Sequence, residues 1–189
     1  MSPESVRDTR SGIVNRRTRA LLALACVSVF GLMAASVLAQ GGPPPPDATP
    51  GAVGFQGTVL GGVDSTVAPG YRLVMAESVF EPGAYVTQHT HPTAIVVCVQ
   101  SGALGFAIQQ GTASITRGGA EEVETLELNT DIVLEPRDCV AFDHFAAHTA
   151  HTGWNASDEP TVLWEARLVK TDEPFTVFVN EQGTPVPVP

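Results

Sequence analysis

The five histidines of this 189-residue chain fall into two groups. His89 and His91 form the first group, and His144, His148 and His151 form the second. Residues i and i+2 of a β-strand point to the same face, so the first group would present two imidazoles side by side. Two such imidazoles are half of a site for a divalent metal ion, and a third ligand must come from elsewhere. The alternative is a pair of surface histidines in a turn.

Short β-rich runs separated by turn residues follow one another through most of the chain. Their lengths and spacing are those of a sandwich or barrel, so the sequence predicts an all-β fold. The runs are 72–80, 84–87, 94–100, 103–110, 113–117, 123–128, 132–134, 138–142, 161–170 and 175–179. Segment 143–151 is the exception, because it is rich in alanine and spaces its histidines at the helical offsets i, i+4 and i+7. A short helix is therefore the alternative for that segment.

The surroundings of the first histidine group resemble the first motif of the cupin superfamily. That motif reads Gly, five residues, His-x-His, three or four residues, Glu, six residues, Gly. This sequence matches it at Gly83, His89, His91 and Gly102. Its glutamate is missing, because Ile95 stands at that position.

The second cupin motif is matched poorly when its histidine is set on His148. The motif's glycines, proline and asparagine are replaced here by Arg137, Phe145, Asp143 and Thr152. Asn155 lies slightly further along the chain and could supply the displaced asparagine. The resemblance covers roughly residues 71–169, which is most of the expected domain.

The cupin resemblance implies a double-stranded β-helix, the jelly-roll barrel, with one divalent metal ion inside. Carried over to this sequence, the ligands are His89, His91 and His148, while His144 and His151 would support these ligands or replace one of them. Three neutral imidazoles suit iron, zinc, nickel or copper. Without a carboxylate ligand, the ion would keep its full positive charge and favour an anionic substrate.

The first 39 residues resemble an export signal. The basic stretch 16–19 runs into an uncharged apolar stretch, 20–39, which ends in small residues suited to cleavage. An uncleaved anchor is the alternative, since the apolar stretch is just long enough to span a bilayer. We expect a signal peptide at 1–39, a linker rich in proline and glycine at 40–57, and a cupin-like barrel domain at 58–189. The cleaved protein would be exported and would have no membrane partner.

The net charge of the chain limits the kinds of molecule that it is expected to bind. Cleavage after residue 39 leaves five basic and eighteen acidic residues, a formal charge of −13. A protein this acidic repels phosphate backbones, so nucleic acid is excluded as a partner and a small molecule is expected. Cleavage also leaves two cysteines, Cys98 and Cys139, which could form a disulfide or remain as two buried thiols.

Two functions follow from these features. The cupin resemblance implies a metal-dependent enzyme, with dioxygenase-type chemistry on a small organic molecule as its expected activity. The alternative is a non-catalytic cupin module that binds or senses a small ligand, which the missing glutamate and the poor second motif favour. Cupins often dimerise through their barrels, so a homodimer is also expected.

Overall fold

A computed structural model describes residues 41–188 of the chain. The predicted signal peptide, 1–39, lies outside the described residues, as does Cys26. The described part contains eleven strands and one short helix, which confirms the all-β prediction. The strands are β1 Ala52–Asp64, β2 Tyr71–Thr90, β3 Thr93–Ser101, β4 Leu104–Gln110, β5 Ser114–Thr116, β6 Val123–Thr125, β7 Ile132–Leu134, β8 Cys139–Asp143, β9 Ala150–Asn155, β10 Thr161–Lys170 and β11 Val177–Phe178, and helix α1 spans His144–Ala147. No helix among residues 41–188 is long and apolar enough to cross a membrane.

The strands form one antiparallel sheet in the order β6-β5-β8-β3-β10-β2-β9-β4-β7, with β1 and β11 also paired to β2. The long strand β2 changes partners along its length. Its first half, 71–80, pairs with β10, whereas its second half, 85–90, pairs with β9 and β11, and β1 pairs with residues of both halves. Gly83 lies between the halves at φ 77, a backbone conformation that favours glycine. The first motif glycine therefore sits at the change of partners.

The hydrophobic core shows that the sheet curls onto itself. Buried side chains from β3, β8 and β10 share one cluster with side chains from the second half of β2 and from β4. The inward residues alternate along β3, where Ile95, Val97 and Val99 are buried. The result is the curled antiparallel sheet expected of a cupin-type jelly roll.

Burial also alternates along β10, but two of its buried residues are charged. Thr161, Leu163, Glu165 and Arg167 are its buried positions, and they all face the core side of the sheet. A carboxylate and a guanidinium thus occupy positions that strand periodicity would normally assign to apolar side chains. This placement brings both charged groups to the interior cavity described below.

The N-terminal part of the domain differs from the predicted boundaries. β1 begins at Ala52, inside the segment 40–57 that the sequence analysis treats as a linker. Val53 and Phe55 lie between the glycines there, and the backbones of both residues pair with β2. β1 is an edge strand among the described residues, and all thirteen of its residues are exposed.

Two further contacts tie neighbouring parts of the fold together. Cys98 of β3 and Cys139 of β8 are opposite each other in register and form a disulfide, so the thiols are paired. Asn155 is fully buried, and its Nδ2 donates to the carbonyl oxygens of Phe80 and Glu159 at 2.9 and 2.7 Å. Its side chain joins the end of β9 to β2 and to the turn before β10.

Candidate metal centre

Strand pairing brings three histidines together. His89 of β2 lies directly opposite His151 of β9 in the antiparallel register. His91 follows just after β2, two residues beyond His89, and its ring centroid lies 4.7 Å from that of His89 and 5.1 Å from that of His151. All three side chains are buried, and each offers a ring nitrogen within 4.8 Å of the others.

Backbone carbonyls fix the protonated nitrogen of two of these rings. Nδ1 of His89 lies 2.8 Å from the Thr87 carbonyl oxygen, and Nδ1 of His91 lies 3.0 Å from the Phe175 carbonyl oxygen. A carbonyl oxygen only accepts hydrogen bonds, so each Nδ1 carries a hydrogen and donates it. In a neutral imidazole the other nitrogen, Nε2, then holds a lone pair. A carbonyl partner on the far nitrogen is the usual support of a metal-binding histidine.

Burial keeps all three imidazoles neutral near pH 7. Loss of hydration lowers the pKa of His89 from 6.5 to about 4. It also lowers the pKa of His91 and of His151 well below the usual value, and the proximity of the other histidines lowers both further. The nitrogens that face one another are therefore lone-pair donors.

Two of these lone pairs face each other at short range. Nε2 of His89 and Nε2 of His91 are 3.2 Å apart, with no hydrogen to share between them. Two nitrogens bound to one ion at about 2.0–2.1 Å in a tetrahedral arrangement lie roughly 3.3 Å apart. The observed separation fits this arrangement, and a cation between the nitrogens would remove the repulsion between their lone pairs.

The buried ring of His151 has a nitrogen without a hydrogen-bond partner among the described residues. Its Nδ1 is buried and makes no hydrogen bond within the described part of the chain. Leaving a buried polar atom unpaired costs about 1–3 kcal/mol. If Nδ1 carries the lone pair, an ion among the three rings is the partner that this nitrogen lacks. The residues present therefore fit a metal ion, and the three histidines could bind one.

The structure brings His151, and not His148, to His89 and His91. His148 is exposed and ends helix α1 at φ 52. That left-handed residue turns the chain before β9 begins, so His148 stays outside the cavity while His151 enters the strand opposite His89. The structure therefore groups His151, and not the predicted His148, with His89 and His91.

His144 also lies outside the cluster. Its Nδ1 is 2.5 Å from the Thr90 hydroxyl oxygen, and that hydroxyl donates its hydrogen to the Thr149 carbonyl oxygen at 2.8 Å. The hydroxyl must therefore accept from the imidazole N–H. This contact anchors α1 to the end of β2, so His144 supports the position of the neighbouring segment and is not among the three converging rings.

A cavity of about 390 Å³ opens beside the three histidines. Most of its lining is apolar, and it includes Ile95, which occupies the position of the missing motif glutamate. The main apolar contributors are Phe55, Phe80, Val86, Ile95, Val97, Leu104, Phe106, Leu163, Phe175 and Phe178. Its volume lies within the range of about 300–1,000 Å³ that small-molecule sites occupy.

The cavity also contains a charged pair that sequence reasoning missed. Arg167 bonds Oε2 of Glu165 through Nε at 2.8 Å and through Nη2 at 2.5 Å. The Phe175 ring stacks near-parallel to the ring of His91 and lies 3.8 Å from the guanidinium carbon. The one signal in the sequence was two charges at i and i+2 within an otherwise apolar strand, a pattern that normally marks the solvent-facing side.

Comparisons with known proteins give structural similarity only. No family model and no curated protein matches the sequence. Similar solved structures include a cupin 2 domain-containing protein from Halorhodospira halophila, with 19% identity over 69% of this chain and 73% of that chain, at a TM-score of 0.42. KdgF from a Halomonas species has 16% identity over 60% of this chain and 80% of that one, at a TM-score of 0.41.

A third similar structure is a cupin superfamily protein from Desulfitobacterium hafniense, with 16% identity over 61% of this chain and 77% of that one, at a TM-score of 0.38. Two of the three are described as cupins.

The buried neutral histidines predict a specific pH dependence of stability for the metal-free protein. Because the pKa of His89 is about 4 when folded and near 6.5 when unfolded, the unfolded chain binds more protons between these values. The free energy of unfolding should therefore fall as the pH drops from about 6.5 to 4, by roughly 3 kcal/mol from His89 alone. Urea unfolding at a series of pH values measures this, and the His89→Gln variant should show a shallower slope. Equal slopes in the two proteins would contradict the assignment.

Proposed function

We propose that this chain is an exported metalloprotein that holds one divalent transition metal ion with His89, His91 and His151. A small organic molecule would bind in the adjoining cavity. The observation that carries the proposal is the pair of Nε2 lone pairs facing each other at 3.2 Å, each fixed by a carbonyl bond on the opposite side of its ring. Iron, zinc, nickel or copper suits such neutral nitrogen ligands.

Backbone carbonyls and apolar side chains around the site would orient the ligands and exclude water. The carbonyls of Thr87 and Phe175 hold two imidazoles with Nε2 turned toward the shared centre. Apolar side chains around the cavity exclude water and strengthen electrostatic interactions within it. A bound ion would supply Lewis acidity or, if redox-active, electron transfer at coordination positions that the three histidines leave open.

Metal-dependent oxygenation of a small organic molecule is the activity that we propose to test first. Three protein ligands leave room at the ion for both a substrate and dioxygen. The second candidate is a non-catalytic ligand-binding module, and one observation favours it. Within the described lining of the cavity, the ionisable side chains are the three histidines and the mutually paired Glu165 and Arg167, so no unengaged acid or base stands ready for proton transfer.

Metal analysis tests the proposed site. The purified protein should contain close to one equivalent of iron, zinc, nickel or copper by elemental analysis, and His89→Ala and His151→Ala should each lose most of it because each removes one of three ligands. His148→Asn is the matched control and should keep the metal, since His148 is exposed and asparagine accepts its positive φ.

Two results would count against this site. If His148→Asn loses as much metal as His151→Ala, the ligand set is wrong. If the wild-type protein takes up no metal after reconstitution, the metalloprotein proposal fails. Oxygen consumption by the loaded protein, screened with small organic acids, then separates the enzyme from the binding module.

Export is supported by the disulfide between Cys98 and Cys139, because disulfides persist mainly in oxidising compartments. When the full chain is expressed in a host with a secretory pathway, the protein recovered from the periplasm or medium should begin at Gln40. Intact-mass measurement checks this, with and without reduction, since the disulfide lowers the mass by two hydrogens. Recovery of the full-length chain in the membrane fraction would instead favour the uncleaved anchor.

A homodimer is supported by the exposed edge strand β1. Val59, Leu60 and Val63 are 64%, 54% and 62% exposed, and an unpaired edge with apolar side chains is a ready partner for another strand. A second copy of the same chain offers the same edge. We expect the protein to sediment as a dimer and Leu60→Lys to sediment as a monomer with unchanged circular dichroism. Thr58→Lys on the same strand is unsuitable as a control because Thr58 lines the cavity, whereas Val123→Lys on β6 is suitable. A monomeric wild-type protein would contradict the dimer.

A further inference from the structure

We propose that Arg167 recognises the carboxylate of a small organic acid whose apolar body fills the cavity. The inference rests on the proposed function, because it concerns the same cavity, but the contact with Arg167 does not require a bound metal ion. It assigns a ligand class, a monocarboxylate with an aromatic or branched apolar body, and one residue that selects it.

The guanidinium of Arg167 is held in a fixed position inside the protein. Its side chain is only 10% exposed, and two of its nitrogens are tied to the same oxygen of Glu165. The Phe175 ring packs against it, with the guanidinium carbon 3.8 Å from the ring centroid. An arginine already ordered in this way loses little further conformational entropy when it binds a ligand.

Part of this guanidinium remains available for a ligand. An arginine has five N–H donors, and Glu165 engages one on Nε and one on Nη2. Nη1 makes no hydrogen bond to any residue within 41–188, although Arg167 lines the cavity. These free donors belong to a residue that lines the cavity, and a planar carboxylate matches the remaining donors of the fork.

A metal ion at the three histidines would make the cavity favour an anion over a neutral ligand. Among the other lining residues, the charges of Glu165 and Arg167 cancel. A divalent ion held by the histidines would leave a buried excess of positive charge, which an anionic ligand offsets. The chain as a whole carries −10, so any attraction for an anion must come from this local group.

The remaining lining restricts the body of the acid. Twelve apolar side chains, aromatic and aliphatic, surround the cavity, whereas Thr58 and Thr176 are its hydroxyl-bearing side chains among the described residues. Sugars and phosphates need many hydrogen-bond partners, which this lining does not provide. An aromatic or branched monocarboxylate buries its apolar part here and keeps its one charged end at Arg167.

Benzoate and benzamide are probes that separate charge from shape. Calorimetric titration of the metal-free and metal-loaded protein should show saturable benzoate binding, with benzamide at least about tenfold weaker because it cannot accept a charge-assisted pair of bonds. Substituting Arg167 alone would leave the Glu165 carboxylate buried without its partner. The test variant is therefore the double substitution Glu165→Gln with Arg167→Met, which should weaken benzoate binding about tenfold or more and leave benzamide unchanged. Arg72→Met removes an exposed arginine outside the cavity and is the matched control, expected to bind benzoate like the wild type.

The outcomes distinguish this inference from the proposed metal site. Metal content is measured on every variant, and the double variant should keep its metal because the three histidines are intact. Equal binding of benzoate and benzamide, unchanged benzoate binding in the double variant, or no benzoate binding by the wild type would each overturn the carboxylate site while leaving metal binding to be judged by metal content. Benzoate binding that depends on Arg167, in a protein that takes up no metal on reconstitution, would support the inference while the metalloprotein proposal fails.

Discussion

The antiparallel pairing of β2 with β9 determines where the candidate metal ligands meet. In this register His89 and His151 are direct neighbours on one face of the sheet. Neighbouring strands lie about 4.8 Å apart, a distance that two imidazoles can bridge with a single ion. The i, i+2 spacing then adds His91 on the same side. A shift of one residue in this pairing would send the histidines of one strand to the opposite face, so the centre depends on register more than on any single bond.

The pairing register of β2 and β9 could not be predicted from the sequence. The pair His89 and His91 was predictable because its geometry is local to one strand. The third ligand was not, because His144, His148 and His151 all lie within one short segment and any of them could follow a turn into the cavity. The left-handed conformation of His148 ends α1 two residues before β9 begins, and His151 is the histidine of the three that lies in register with His89. Such a turn depends on tertiary contacts, including the bond between His144 and Thr90.

The strand pattern itself was largely predictable, since turn residues and β-rich runs alternate along the chain. The two deviations have physical causes. β1 forms in a glycine-rich segment because it pairs with the long strand β2 over most of its length, and propensity is a weak determinant of an edge strand. Glu165 and Arg167 could not be recognised as interior groups because charge normally marks the exposed side of a strand, and only their mutual pairing makes their burial tolerable.

The neighbouring strand β10 shows what would surround a glutamate at the position that Ile95 occupies. Ile95 of β3 and Arg167 of β10 are register partners, so a carboxylate at residue 95 would stand next to a guanidinium. In this chain the carboxylate that lines the cavity belongs to Glu165 instead, and it is paired with Arg167. The three histidines that could bind a metal ion therefore have no carboxylate among them.

Phe175 contacts both halves of the cavity. Its carbonyl oxygen fixes the tautomer of His91, and its ring packs against the guanidinium of Arg167. A ligand that moves the guanidinium would therefore act on the same residue that orients the imidazole of His91. In a closed binding cycle, the effect of a bound acid on the affinity for an ion equals the effect of a bound ion on the affinity for the acid. Phe175 would thus couple an acid at Arg167 to an ion at the histidines, although each can bind without the other.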